Sequence, residues 1–182
     1  MIRIAACHLE EVLELETVTY EDERGFFVEL GRSAEFETIG LPPLVQTNLS
    51  SSHRGVLRGI HYQLPPKVQG KLVSVLSGEI WDVAVDLRQS SPTFGEWVGV
   101  SLSSELMNML YVPPGFGHGF VALSEPALVM YRTTAEFDSD ADRAVAFDDP
   151  TIAVAWPAHS GELSVSAKDR RAPRLGDADV FA

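Results

Sequence analysis

Hydrophobic residues recur along this chain mainly at every second position, in short runs that turn-forming residues separate. In the stretch WVGVSLS at 97–103, Val98, Val100 and Leu102 fall on one face of an extended chain. A period of two residues is typical of β-strands, whose side chains point alternately to opposite faces. The same pattern predicts strands at 12–20, 44–50, 55–63, 71–76, 80–87, 109–112, 120–123 and 127–134.

Helical patterns are rare in this chain. Only 32–39 and 103–107 have the composition of short helices, and PPGFG at 113–117 is predicted to be a turn. From residue 138 onward the pattern weakens, and we expect irregular structure that wraps the rest. This tail includes WPAH at 156–159 and KDRRAP at 168–173. Many short strands without a linker or internal repeat predict one all-β domain, an antiparallel sandwich or barrel, over residues 1–182.

Composition and charge narrow the functional classes. The 182 residues include 14 Lys plus Arg against 26 Asp plus Glu, and the formal net charge is −12. This balance opposes general binding to nucleic acid or to an anionic membrane, which needs a broad basic surface. With Cys7 as the single cysteine, no intrachain disulfide can form, which suits a reducing compartment. No signal peptide or membrane helix is evident, so we expect a cytoplasmic protein.

Four polar side chains occupy strand positions where apolar residues are expected. They are His61, Gln63, Lys71 and His118. Lys71 shares its strand face with two valines, and burying an unpaired ammonium is costly. One explanation is an edge strand that leaves Lys71 in solvent. The other is that all four side chains line a site inside the barrel.

The spacing of these residues resembles the metal-binding pattern of cupins, which are small β-barrels. In cupins, HxH is followed by a Glu, six residues and a Gly, and later by PxG and a His. Here Gln63 stands for the second His and Lys71 for the Glu, while Gly78 and His118 keep their places. An ammonium has no lone pair and cannot bind a divalent cation. We therefore predict a barrel lumen in which a fixed positive charge replaces the metal.

A histidine and a lysine without a metal suit proton abstraction next to a carbonyl group. A neutral His61 can remove the proton, and the Lys71 ammonium can stabilise the enolate oxygen that develops. Tyr131 is a candidate acid for returning a proton to the opposite face, although an ordinary aromatic core residue fits its pattern equally well. The carboxylate that orients His61 would be Asp169 or Asp82.

Several stretches in the same order resemble the nucleotide-sugar 3,5-epimerases. They are DERGFFVEL at 22–30, QTNLSSSHRGVLRGIHYQ at 46–63, the run from PPKVQGKL to FGEW at 65–97, VPPGFGHGFVALS at 112–124 and KDRRAP at 168–173. This family acts on dTDP-4-dehydro-6-deoxyglucose on the route to dTDP-rhamnose. The resemblance covers roughly residues 10–175. It implies a cupin-like jelly roll, a homodimer with exchanged N-terminal strands, and no metal or organic cofactor.

The resemblance also implies roles for individual residues. His61 corresponds to the base, Tyr131 to the acid, and Asp169 to the carboxylate that orients the base. Lys71 belongs to both the catalytic and the substrate-binding set. The residues that match the family's binding positions for the dTDP-sugar are Arg24, Glu29, Gln46, Thr47, Asn48, Arg58, Lys71, His118, Asp142 and Lys168. The cations among them suit a diphosphate.

Two expectations concern the strands themselves. Strict alternation puts Arg58 and His61 on opposite faces, so we expect a β-bulge near Gly59 that brings both into one site. The apolar alternation over 12–18 would give an exchanged N-terminal strand something to bury against a partner.

One departure from the family leaves the reaction's outcome open. Phe137 stands where many members have a second tyrosine, so inversion at both C3 and C5 or at one carbon alone is compatible with the sequence. A ketoisomerase-like proton shuttle is a further enzymatic alternative. A non-catalytic sugar-binding cupin is the alternative from another class, and the presence of both His61 and Tyr131 disfavours it.

Overall fold

The computed structural model describes residues 2–157 and 163–182, and it confirms an all-β, cupin-like jelly roll. The described strands are β1 (Arg3–His8), β2 (Val12–Glu16), β3 (Thr19–Asp22), β4 (Gly25–Val28), β5 (Gln46–Ser52), β6 (Val56–Gln63), β7 (Lys71–Ser77), β8 (Glu79–Asp86), β9 (Trp97–Ser103), β10 (Met109–Val112), β11 (Phe116–Ala122), β12 (Ala127–Thr133), β13 (Asp142–Ala144) and β14 (Ser164–Val165). The helices are α1 (Ser33–Thr38) and the 3₁₀ turns Asp169–Arg171 and Leu175–Asp177. That residues 1–182 form a single domain stays a prediction.

Two large sheets make up the body of the fold. Sheet I has the strand order β1-β2-β10-β7-β12-β5, and sheet II has the order β13-β6-β11-β8-β9. All of these neighbours are antiparallel, and β14 adds to sheet II by pairing in parallel with β6. Strands β3 and β4 form a separate hairpin. This arrangement makes β7 a central strand of sheet I and β5 an edge strand.

The core between the sheets joins apolar residues from both layers. Val73 of β7 and Leu110 of β10 belong to the same buried cluster as Ile80 and Ala84 of β8 and Phe120 of β11. Burial of such side chains stabilises the fold by roughly 25 cal/mol per Å² of apolar surface. The alternating positions of the strands therefore build a sandwich with a common core.

The C-terminal tail covers the outer face of sheet II, as predicted. Val83 and Val85 of β8 are buried there in one cluster with Ile152 and Leu175 of the tail. Both faces of β8 are consequently buried, and Asp82 points into the space between the sheets rather than to solvent. Within the WPAH stretch, residues 158 and 159 lie outside the described part of the chain.

The outer face of sheet I is partly covered by α1 and the loop that follows it. Phe36 and Leu41 pack with Leu72 of β7 and Met109 of β10. The predicted helix at 32–39 is thus present in shorter form. No helix among the described residues has the length and apolar character needed to cross a bilayer.

The second predicted helix, at 103–107, is wrong. Strand β9 continues to Ser103, and a turn follows in which Ser103 Oγ accepts the N–H of Leu106 at 3.1 Å. The N–H of Ser103 donates to Asn108 Oδ1 at 3.2 Å. These side chains satisfy backbone groups locally, so the segment turns rather than winding into a helix.

Five strand regions were not predicted, namely β1, β4, the first half of β11, β13 and β14. Strand β11 begins at Phe116, inside the stretch predicted to be a turn. Glycine is poor in strands, but a Cβ on Gly117 would lie 2.5 Å from Ile60. Glycine is required here because the neighbouring strand packs too closely for any side chain.

The bulge expected near Gly59 is confirmed. His118 of β11 pairs with His61 of β6, and the next pair is Phe120 with Arg58, so β6 has one additional residue between them. Gly59 has a φ of +130°, which an L-residue with a side chain rarely adopts. The extra residue reverses the alternation, and Arg58 and His61 line the same cavity.

We expect Gly59→Ala to lower the free energy of unfolding by about 3 kcal/mol or more, because backbone strain and overpacking each cost ~1–3 kcal/mol. An added Cβ would lie 2.4 Å from the Cα of Gly119. Gly40→Ala is the control, because Gly40 also has a positive φ but has nothing within 4 Å of its added Cβ. Chemical denaturation of both variants measures the difference. Equal losses in the two variants would contradict a packing role for Gly59.

Candidate active site

A cleft opens between the two sheets and contains most of the predicted site residues. It consists of two adjoining cavities of about 440 and 360 Å³ that share His61, Lys71, Tyr131 and Lys168. The predicted residues that line it are Gln46, Asn48, Arg58, His61, Lys71, His118, Tyr131, Asp142, Lys168 and Asp169. Sheet II contributes His61 from β6, whereas sheet I contributes Tyr131 from β12. The two side chains therefore come from opposite walls.

Asp169 holds the ring of His61 in place. The distance from His61 Nε2 to Asp169 Oδ1 is 2.7 Å, and Asp169 is buried at the start of a 3₁₀ turn. Burial opposes ionisation of this carboxyl group, but hydrogen bonds from His61, Ser166 and the Gly59 N–H outweigh it, so the pKa of Asp169 lies below its usual value. An ionised carboxylate only accepts, so Nε2 donates and a neutral His61 has its lone pair on Nδ1.

His118 forms a second histidine–carboxylate pair, deeper between the sheets. Its Nε2 lies 2.7 Å from Asp82 Oδ1, and both side chains are buried. The two carboxylates left open by the sequence thus serve different histidines. Asp169 contacts His61, and Asp82 contacts His118.

Lys71 lies inside the barrel. It is 9% exposed on central strand β7, so the edge-strand alternative is wrong. Its Nζ donates to the backbone oxygen of His61 at 3.1 Å. Burial lowers the pKa of Lys71 to about 8, while Asp142 and Asp82 act in the opposite direction. The ammonium form is therefore held in the cleft at neutral pH but is costly to keep there.

Cationic side chains gather around the rest of the cleft. Arg58 donates to Ser52 Oγ at 3.1 Å and to the backbone oxygen of Ser51 at 3.3 Å. Lys168 forms an ion pair with Asp142 at the cleft. A chain of net charge −12 thus presents Arg58, Lys71 and Lys168 in one place.

Gln63 lines the cleft, as predicted, and its side-chain amide also has a structural task. Its Nε2 donates to the backbone oxygens of Lys67 at 2.8 Å and Glu136 at 3.2 Å. Its Oε1 accepts the N–H of Asp138 at 2.9 Å. The side chain touches the cleft, but its amide joins two loops. Lys67 is four positions away, but Glu136 and Asp138 lie more than 70 positions along the chain, and no local pattern predicts those two bonds.

Three predicted binding residues lie away from the cleft of this chain. Arg24 sits on the β3–β4 hairpin and pairs with Asp22 at 2.5 Å. Glu29 pairs with Arg32 at 2.8 Å, close to α1. Thr47 is exposed, because alternation along β5 turns it to the face opposite Gln46 and Asn48. The structure does not bring these three side chains to the other site residues within one chain.

Some residues that line the cleft were not predicted from the sequence. Ser50, Phe120, Ser164 and Ser166 line the larger cavity. Ser50 could have been found, because it shares the face of Gln46 and Asn48 by alternation. The two tail serines carry no periodic signal, since the β14 segment that holds Ser164 is two residues long.

Side chains that could bind a metal do not cluster in the part of the chain that the structure describes. Within residues 2–157 and 163–182, no three His, Cys, Asp or Glu side chains converge as a metal site would require. That the reaction needs no metal stays a prediction.

The fold and the cleft define a cupin-like barrel with two histidine–carboxylate pairs and a buried lysine in its lumen. The family model described as dTDP-4-dehydrorhamnose 3,5-epimerase matches residues 6–177. The chain belongs to this family and is an isomerase of the epimerase type.

Known epimerases are similar to this chain in sequence and structure over nearly its whole length. The dTDP-4-dehydrorhamnose 3,5-epimerase of Shigella flexneri is 43% identical, covering 99% of this chain and 99% of that protein. A dTDP-6-deoxy-D-glucose-3,5-epimerase from Legionella pneumophila, solved with dTDP-4-keto-L-rhamnose, has a TM-score of 0.94 at 42% identity, covering 98% of this chain and 95% of that one. A 3'-monoepimerase from Streptomyces bikiniensis, solved with dTDP-quinovose, has a TM-score of 0.84 at 34% identity, covering 91% and 84%.

We expect Lys71→Met to stabilise the fold by about 1–3 kcal/mol, because a pKa unit corresponds to ~1.4 kcal/mol. The pKa of Lys71 lies at about 8 in the folded protein, below the ordinary value of 10.5. The cost of burying the ammonium is therefore complete below pH 8 and fades as the pH rises toward 10.5. Denaturation at pH 7 and at pH 10 measures the gain, which should shrink at the higher pH.

Lys67→Met serves as the control for this prediction, because Lys67 is an exposed lysine four positions earlier in the chain. It should leave stability unchanged at both pH values. A Lys71→Met variant that is less stable than the parent at pH 7 would show that Lys71 stabilises the fold rather than destabilising it.

Proposed function

We propose that this enzyme epimerises C3 and C5 of dTDP-4-dehydro-6-deoxyglucose and so forms dTDP-4-dehydro-L-rhamnose. One observation carries the proposal. A histidine oriented by a carboxylate stands on one wall of the cleft, and Tyr131 stands on the other. Inversion at carbon requires removal of a proton from one face and its return to the opposite face. A base and an acid on opposite walls meet this requirement.

The first half-reaction is proton abstraction by His61. The lone pair on Nδ1 takes the proton from the carbon next to the C4 ketone, and the electron pair of that C–H bond moves toward the ketone oxygen. Asp169 stabilises the imidazolium that forms, through its bond to Nε2. The buried Lys71 ammonium supplies positive charge for the enolate oxygen.

The second half-reaction returns a proton from the other wall. Tyr131 Oη donates to the carbon on the face opposite His61, and the enolate collapses back to the ketone. The C4 ketone flanks both C3 and C5, so the same residues serve both carbons if the sugar turns between steps. The resulting phenolate of Tyr131 then recovers a proton from solvent, and His61 loses its proton there.

The cations of the cleft are proposed to bind the diphosphate of the dTDP group. Arg58 and Lys168 line the larger cavity with Lys71. Charge-assisted hydrogen bonds from such groups are the usual way to hold phosphate oxygens. The Legionella pneumophila relative, solved with a dTDP-linked keto sugar, supports this substrate class. We also propose that the reaction uses no metal and no organic cofactor, since the Lys71 ammonium occupies the lumen.

Inversion at a single carbon is the second candidate, and Phe137 favours it. Its ring is 58% exposed and lines the smaller cavity, where it has no hydroxyl to give. Tyr131 is then the cleft's one described tyrosine with a hydroxyl free of protein partners, because Tyr62 Oη donates to the Asp179 backbone. The 3'-monoepimerase among the relatives shows that this fold also serves one carbon.

We propose that the enzyme forms a homodimer. The exposed β3–β4 hairpin supports this proposal better than the apolar alternation over 12–18 does. Within that stretch, Val12 and Leu15 are buried in their own chain, whereas Val18 is exposed. The β3–β4 hairpin instead exposes Tyr20, Phe26 and Phe27. A second copy covering this hairpin would bury the exposed aromatic side chains, and Arg24 could then reach the partner's cleft. Light scattering at micromolar concentration should give the mass of a dimer; a monomer would contradict the proposal.

We propose that the enzyme works in the cytoplasm. Cys7 is the only cysteine of the chain and is a free thiol, which suits a reducing compartment. The acidic surface offers no general affinity for nucleic acid or for anionic lipid.

We expect His61→Asn to abolish solvent deuterium incorporation at C3 and C5 while the dTDP-sugar still binds. Removal of a general base costs ~10²–10⁴-fold in rate. Proton NMR of the substrate in deuterated buffer measures the exchange, and calorimetry measures binding. Near wild-type exchange in this variant would mean that another group is the base.

Tyr131→Phe should separate the two half-reactions. The variant keeps His61 and Lys71, so deuterium still enters the sugar, but little inverted product forms because the acid is absent. The same NMR assay resolves both outcomes. Inversion of both carbons at an unchanged rate would show that Tyr131 is not the acid. Phe137→Tyr is the matched gain-of-hydroxyl variant and should raise the inverted fraction at the slower carbon.

A further inference from the structure

Ser166, a serine of the C-terminal tail, closes the turn that carries Asp169. Its Oγ accepts the backbone N–H of Asp169 at 3.0 Å, and its backbone oxygen accepts the N–H of Arg170 at 3.0 Å. Serine hydroxyls often satisfy backbone N–H groups at the beginning of turns in this way. The 3₁₀ turn that follows is only three residues long, so the bonds to Ser166 contribute directly to the position of Asp169.

The hydroxyl of Ser166 also has a proton to donate, because an oxygen that accepts a backbone N–H keeps its own O–H. The Asp169 carboxylate receives it. Burial raises the pKa of Asp169, but hydrogen bonds from His61, then from Ser166 and from the Gly59 N–H, bring this pKa below its ordinary value. Ser166 therefore restrains both the backbone and the carboxylate of Asp169.

The place of the Asp169 carboxylate decides where the proton of a neutral His61 lies. Asp169 Oδ1 is 2.7 Å from His61 Nε2, and among the described residues no other side chain forms a hydrogen bond with the His61 ring. An ionised carboxylate only accepts, so it keeps the proton on Nε2 and leaves the lone pair on Nδ1. If the carboxylate turned away, the proton could move to Nδ1, and this nitrogen could no longer take a proton from a substrate.

We propose that Ser166 is a positioning residue, which fixes the Asp169 carboxylate and thereby keeps the proton of a neutral His61 on Nε2. This inference rests on the proposed function, because it takes His61 Nδ1 as the base. It adds a residue to the His61–Asp169 pair. Ser166 is exposed and lines the larger cavity, so a direct contact between its hydroxyl and the substrate is the competing explanation for a serine at this place.

The tautomer of His61 can be observed directly in the free enzyme. Long-range proton–nitrogen NMR spectra distinguish an imidazole with its proton on Nε2 from one with its proton on Nδ1. The chain has five histidines, and the His61 signals are those that disappear in His61→Asn. At pH 9, where an ordinary imidazole is neutral, we expect the Nε2–H tautomer alone in the parent and in Ser166→Thr, which keeps the hydroxyl. We expect a mixture of both tautomers in Ser166→Ala.

Kinetics test whether the tautomer matters for the reaction. In Ser166→Ala we expect kcat for the dTDP-keto sugar to fall about tenfold, the effect of one lost hydrogen bond to a charged group, while KM stays unchanged. Ser166→Thr should keep most of the parent kcat. A raised KM with an unchanged kcat in Ser166→Ala would mean that Ser166 contacts the substrate, and this result overturns the proposal.

A double-mutant cycle with Asp169→Asn tests whether Ser166 acts through Asp169. An amide can donate to His61 and no longer requires the proton on Nε2, so Asp169→Asn alone should reduce the rate strongly. Adding Ser166→Ala to Asp169→Asn should then cost less than about twofold, because no carboxylate remains to be positioned. A further loss of about tenfold would show that Ser166 acts independently of Asp169, contrary to the proposal.

Ser103→Ala is the matched control. Ser103 Oγ also accepts a backbone N–H three positions along the chain, that of Leu106 at 3.1 Å, but Ser103 lines neither cavity of the cleft. This variant should keep the parent tautomer and the parent kcat. A mixture of tautomers in Ser103→Ala would mean that His61 responds to any loosening of the fold, and a single tautomer in Ser166→Ala would equally contradict the proposal.

The NMR measurement needs no substrate, so this proposal and the proposed function fail separately. If the parent does not turn over the dTDP-keto sugar, the proposed function is wrong. The His61 tautomer in Ser166→Ala still decides whether Ser166 positions the His61–Asp169 pair.

Discussion

The buried ammonium of Lys71 is the constraint on which the site depends. It stands on a central strand between apolar neighbours, with one hydrogen bond to the backbone of His61. Its lowered pKa corresponds to a cost of about 3 kcal/mol at neutral pH, a large share of the net stability of a typical domain. Replacing it by an apolar side chain would remove that cost. The presence of a lysine at this position is therefore explained by the proposed reaction rather than by the stability of the fold.

The two-layer fold arranges the remaining groups around this charge. Because His61 belongs to sheet II and Tyr131 to sheet I, the sandwich itself separates the proposed base from the proposed acid. The bulge at Gly59 brings Arg58 to the same side as His61 and, through the Gly59 N–H, helps to keep Asp169 ionised. One irregularity of β6 thus contributes both to the proposed phosphate site and to the orientation of His61.

Much of this arrangement could be predicted from the sequence, because strand alternation and cupin-like spacing are local signals. They identified the central strands, the bulge, and the polar residues His61 and Lys71 that belong to the lumen. Alternation could not decide which carboxylate serves which histidine, since Asp169 reaches His61 from 108 positions away. The amide of Gln63 joins loops for the same long-range reason, and Gly117 lies in a strand because a neighbouring side chain leaves no room for a Cβ.

We propose that the Lys71 ammonium, and not a metal ion, provides the positive charge of the site. The most direct measurement is turnover of the dTDP-keto sugar after exhaustive chelation, with the metal content of the same sample determined by mass spectrometry. We expect full deuterium exchange and inversion in protein free of divalent metal. Activity that disappears on chelation and returns with one equivalent of a divalent ion per chain would contradict it.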